Sequence, residues 1–115
     1  MHARLHDRRF VTTANPEGHA DANTVFHYFV HDTTITGRYA GGKIRSGQVV
    51  GRVTGPDTIE LLYHCLTQDN ELLAGWSRGV VGVDDAGRTT LAFEWGWLSG
   101  ATGGGESQYI ELIDA

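Results

Sequence analysis

Four tyrosines, three tryptophans and a few carboxylates are the residues of this 115-residue chain that could do chemistry. Tyr28, Tyr39, Tyr63 and Tyr109 each stand in a segment where every second residue is apolar. Neutral phenols can polarise a carbonyl or supply a proton, and a nearby carboxylate could take one away. In RTTLAFEWGWLSG (88–100), Trp95 and Trp97 share a side with Leu91 and Phe93, and Glu94 lies between them in sequence. Strict alternation turns Glu94 away from the tryptophans, although Gly96 could mark a bulge that re-aims it. Glu111 shares a face with Tyr109 and Ile113; if that face is internal, desolvation would raise its pKa towards a useful range. Tyr39, Tyr63, Glu94 and Glu111 are therefore the candidate catalytic groups. Tyr28, Gln48, Trp76, Trp95, Trp97 and Tyr109 are the candidate ligand contacts, with Gln48 and Ser46 on the face of Ile44 and Val50. Arg78, two residues after Trp76, either meets an anionic group inside or stands exposed near a strand end.

Other chemistries find less support. His27 and His31 are four apart on one strand face, about 13 Å at standard rise, too far to ligate one ion. No metal and no cofactor is expected. Cys65 has no activating neighbour on its own face, since His64 points the other way, and reads as a core thiol. No Ser-His-Asp arrangement and no phosphate loop can be found.

The elements that must position these groups are strands. TVFHYFVH (24–31), TITGRYA (34–40), KIRSGQVVGRVT (43–54), TIELLYHCL (58–66) and SQYIELI (107–113) alternate with a period of two. RFVTTA (9–14) is a shorter candidate, and 71–83 begins as a strand that Gly79 and Gly82 bulge or break. Gly41-Gly42 permits positive φ at both hairpin positions. Asn15-Pro16-Glu17-Gly18 and residues 19–23 read as turn and connection, and TGGGE (102–106) as a flexible link. No amphipathic helix is evident. About eight strands joined by hairpin-length turns predict an all-β, antiparallel up-and-down barrel, with a two-sheet sandwich as the alternative.

The length suits one domain, residues 9–115, preceded by a disordered or loosely packed basic tail over 1–8. A formal net charge of −5 weighs against nucleic acid as a partner. No run approaches the ~20 apolar residues that span a membrane as a helix, and no secretory signal is seen. With a single cysteine, a reducing, cytoplasmic setting is expected.

The run YAGGKIRSGQVVGRV, the TVFHY strand, a strand containing Tyr63-His64, the late Trp95-x-Trp97 and a Ser107-led final strand resemble one family. It is the small bacterial lipocalin-like (calycin-type) barrels commonly labelled N-acetylglutamate synthase, and the similarity spans about residues 8–113. The resemblance implies a calycin-type barrel. The synthase activity is rejected on physical grounds. Its acyl-CoA loop should open a helix whose N–H groups hold the pyrophosphate, whereas Arg38-Tyr39-Ala40-Gly41-Gly42-Lys43 has a lysine at the last small position and leads into a strand.

Pointing the more apolar face of each strand inward places Phe26, Tyr28, Ile35, Tyr39, Tyr63, Cys65, Trp76, Phe93, Trp95, Trp97 and Tyr109 inside. So many rings bearing O–H or N–H groups suit a cavity for a flat organic molecule better than a dry core. The expected function is binding of a small hydrophobic or aromatic molecule, with cofactor-free cyclisation, isomerisation or dehydration of it. The alternatives are a binding protein without chemistry and a solid barrel acting through its surface. A homodimer is the further partner considered.

Overall fold

The computed structural model describes residues 1–15, 18, 20–100 and 102–113. A four-residue helix, α1 (His2–Leu5), precedes eight strands: β1 (Arg8–Ala14), β2 (Val25–His31), β3 (Thr34–Gly41), β4 (Ile44–Val53), β5 (Thr58–Thr67), β6 (Leu72–Val83), β7 (Thr89–Ser99) and β8 (Gly104–Leu112). Each strand pairs antiparallel with the next, and β1 pairs with β8 to close the barrel. The closed up-and-down barrel expected from the alternation is therefore the observed fold, and the sandwich is not. The β3–β4 turn falls one residue later than expected, on Gly42-Lys43 between the paired Gly41 and Ile44, with Gly41 and Gly42 at φ of 112° and 58°.

The inward face of β2 is Phe26, Tyr28 and Val30; that of β5 includes Ile59, Leu61, Tyr63, Cys65 and Thr67. A regular pairing of glycine with an aromatic accompanies this. Tyr28 stands opposite Gly37, Tyr39 opposite Gly47, Tyr63 opposite Gly75, and Phe93 opposite Gly79. A methyl group at Gly47, Gly75 or Gly79 would overlap the ring of its partner. The missing side chain lets each ring lie down along the sheet, so the rings line the barrel without filling it.

Three expectations change. β6 is one continuous strand, because Gly79 and Gly82 stay in register with Phe93 and Thr90. The stretch read as a flexible link contributes Gly104, Gly105 and Glu106 to β8, paired with Gly96, Trp95 and Glu94. The N-terminal residues are not a loose tail. Leu5 is fully buried, and the Arg4 guanidinium donates to Asp57 at 2.8 Å, to the Val81 carbonyl at 3.0 Å and to the Pro56 carbonyl at 2.6 Å. Arg4 thus ties α1 across the barrel end that carries the β4–β5 and β6–β7 turns. An apolar Leu5 with an anchored arginine beside it has more to gain from docking than from solvation. Pro16, Glu17 and His19 of the expected turn and connection, and Asp114 and Ala115 at the end of the expected domain, lie outside the described residues.

Candidate functional site

The two barrel ends differ. At the α1 end, Phe10, Val30, Ile35, Ile59, Val81 and Leu91 are almost inaccessible and close the interior. Towards the other end the interior opens into a lumen lined by Phe26, Tyr28, Tyr39, Tyr63, Cys65, Phe93, Trp95, Trp97 and Tyr109. About 60 Å³ of the lumen is open to the centre of a water-sized sphere. The space is slot-like, and Asn15, Gly18 and Ala20 of the β1–β2 connection contribute to its lining.

The rings pack against one another. Phe26 stacks on Tyr39 with centroids 4.7 Å apart, and Tyr109 meets Phe26 and Phe93 edge-on at 5.1 and 5.7 Å. Trp95 and Trp97 cross at 74° with centroids 5.1 Å apart, and Tyr63 stands edge-on to Trp97. Such contacts hold each ring in one orientation.

Burial pushes the phenols of Tyr28, Tyr39, Tyr63 and Tyr109 above their ordinary value, and neighbouring phenols push Tyr28, Tyr39 and Tyr63 the same way. The phenols therefore stay neutral and serve as hydrogen-bond donors. Tyr39 Oη donates to the His64 carbonyl at 3.2 Å, so its position is set by β5. Burial also raises the Cys65 thiol, which agrees with a core thiol.

Of the expected site residues, Tyr28, Tyr39, Tyr63, Trp95, Trp97 and Tyr109 come together in the lumen. The other four do not. Gln48 is exposed on the outside with Ser46, because a bulge at Arg45 separates Ile44 from Ser46 and reverses the alternation after it. Gly47 and Val49 take the inward places. Trp76 lies on the outer surface beneath Arg78, whose guanidinium carbon sits 4.9 Å from the ring centroid. The inward positions of β6 go to Leu73, Gly75, Ser77, Gly79 and Val81, since the Tyr63 and Phe93 rings occupy the space a larger residue would need.

Glu94 is exposed, 3.8 Å from Arg78 on the outside of the barrel. Glu111 does point inward, but at the closed end. Its Oε2 accepts from Arg8 at 2.6 Å and its Oε1 from the Thr89 N–H at 3.0 Å, so it fastens β8 to β1 and β7. Neither carboxylate reaches the lumen.

The sequence reading missed Ser77 and Ser107, both buried and lining the lumen, and Asn15 at its mouth. The alternation carried a signal for Ser107, which is two residues before Tyr109 on the same face. Asn15 lay in a segment without periodicity and gave none.

Such an arrangement, a barrel closed at one end and lined with aromatic rings at the other, defines a small-molecule-binding barrel of the calycin type. In a comparison with known families, residues 3–112 match the family described as avidin-like protein, and the chain belongs to that family. No curated protein and no solved structure matches it.

Proposed function

We propose that this protein holds a small, neutral, largely apolar molecule with a flat body in its lumen and performs no chemistry on it. The observation that carries this reading is the wall itself. Rings and neutral phenols surround an open slot, and no described lining residue is a carboxylate, an imidazole or a cation. The acid–base cyclisation or isomerisation expected from the sequence needs a base beside the phenols, and its two candidates lie outside the barrel and at its sealed end. Family membership supports binding, since avidin-like proteins take small ligands such as biotin.

The test is isothermal titration of the full chain with biotin and with a panel of one- and two-ring aromatics. Saturable binding is expected for at least one compound. Tyr63→Phe should weaken it by about five- to tenfold, the worth of one hydrogen bond, while leaving thermal stability nearly unchanged. Absence of saturable binding across the panel would remove the reading; turnover of a bound compound would restore the catalytic one.

Self-association is proposed as well, on a separate observation. Val50, Leu62 and Trp76 are register neighbours across the outside of β4, β5 and β6, and Val50 and Leu62 are 55% and 53% exposed. The adjacent outer row, Arg52, Glu60, Arg78 and Glu94, alternates in sign. An apolar strip beside alternating charges can face a second copy of itself with opposite charges meeting. Sedimentation velocity should show a dimer that Leu62→Lys converts to monomer; a monomeric wild type would end this part.

A further inference from the structure

One donor in the lumen has no partner. Trp95 is 6% exposed, lines the lumen, and its indole Nε1–H makes no hydrogen bond. An indole N–H is a donor only, and buried ones normally find an acceptor. Its register neighbours are Ser77 and Gly105, and neither supplies one. A second orphan lies at the mouth. Asn15 Oδ1 is inaccessible and unpaired, while its Nδ2 donates to the Ala20 carbonyl at 3.1 Å and so fixes which way the amide faces. Two residues that line one lumen thus carry an unpaired donor and an unpaired acceptor.

We propose that the guest is a planar, uncharged carbonyl compound of lactam type, whose C=O accepts from Trp95 Nε1–H and whose N–H or O–H donates to Asn15 Oδ1. This rests on the lumen being a binding site, and it names the class of guest. A charged guest is disfavoured, because the described wall offers no counter-ion and burying an unpaired charge is costly. A hydrocarbon fits the rings but leaves both orphans unmet. Sites built to hydrogen-bond a group discriminate strongly against analogues lacking it, since the buried partner is then left without one. Trp95 is therefore the specificity-determining donor, and Trp97 and Phe93 beside it supply apolar surface.

The experiment compares naphthalene, quinolin-2(1H)-one and 1-methylquinolin-2(1H)-one, three two-ring probes, by titration calorimetry on the full chain. The quinolinone is expected to bind about tenfold tighter than naphthalene, and its N-methyl analogue to fall between them. Trp95→Phe keeps a ring and removes the donor; it should erase the preference of the N-methyl analogue over naphthalene while naphthalene binding persists. Asn15→Ala should erase the difference between the quinolinone and its N-methyl analogue. In the wild type, the Trp95 indole proton should move downfield in NMR spectra with the quinolinone and not with naphthalene, a readout that needs no variant. Equal affinities for naphthalene and the quinolinone, or a preference of the N-methyl analogue over naphthalene that survives Trp95→Phe, overturn the proposal while the binding reading stands. If none of the three probes binds and the wider panel is silent as well, the binding reading and this inference fall together.

Discussion

At its α1 end the barrel buries Leu5, Phe10, Ile35 and Ile59 completely or nearly so, and the inward carboxylate there is met by Arg8 and the Thr89 N–H. At the other end the inward residues are aromatic, the phenols are neutral, and Trp95 Nε1 and Asn15 Oδ1 are left without partners. The same eight strands build both ends, so strand pairing does not distinguish them. Side-chain size and satisfaction do. Where branched aliphatic groups and Phe10 meet α1, the interior is sealed; where rings lie against glycines, it stays open. The first end is packed as a core and the second is the wall of a lumen.

The comparison is most exposed to a deletion at the sealed end. Phe10→Ala should cost about 3–5 kcal/mol in urea unfolding, the usual range for removing a fully buried ring. Trp97→Ala at the half-buried rim should cost much less in the same experiment. Equal costs would break the division between the ends.

Alkaline unfolding sharpens it next. The phenols of Tyr28, Tyr39 and Tyr109 are raised above 10 by burial, so the folded chain keeps protons that the unfolded chain releases. Above pH 10 the unfolded state binds fewer protons, and stability must therefore fall as pH rises; below about pH 9 these groups contribute no pH dependence. Tyrosinate absorbance should appear together with loss of the near-ultraviolet circular dichroism. Tyrosinate forming in a protein that remains folded would show a lumen far better hydrated than its walls suggest.

A smaller effect is expected from Gly47→Ala. The added methyl overlaps the Tyr39 ring and must push it into the slot, away from the His64 carbonyl. A loss of about 1–3 kcal/mol in thermal unfolding, with weaker ligand binding, is the expected result. Unchanged binding would mean that Tyr39 is not held flat by its glycine. Smallest of all is Glu94→Gln, within about 0.5 kcal/mol of wild type and with lumen binding unaltered, because its pair with Arg78 is exposed and long.

Much of this molecule could be read locally. A period of two in six segments, closed by short turns, was enough to specify an antiparallel barrel and to group Tyr28, Tyr39, Tyr63, Tyr109, Trp95 and Trp97 on inner faces. Alternation states which residues share a face, and those strands each had one face clearly more apolar. It does not state which face turns inward when the neighbouring strands already fill the interior. On β6 two inner places went to Gly75 and Gly79 because the Tyr63 and Phe93 rings lie over them, and Trp76 was left outside. Nor does alternation survive an extra residue, and the bulge at Arg45 sent Gln48 outward.

The rest came with the tertiary fold: that Arg4 and Leu5 dock as a plug, that Glu111 meets Arg8 103 positions away, and that the Trp95 Nε1–H meets no acceptor. Each depends on groups far apart in sequence arriving at one place, and a local pattern carries no information about who arrives. A barrel with an aromatic interior was legible from residue types and spacing, because period and composition are local. Which end is sealed, and which polar atoms are left unpaired, followed only from closure.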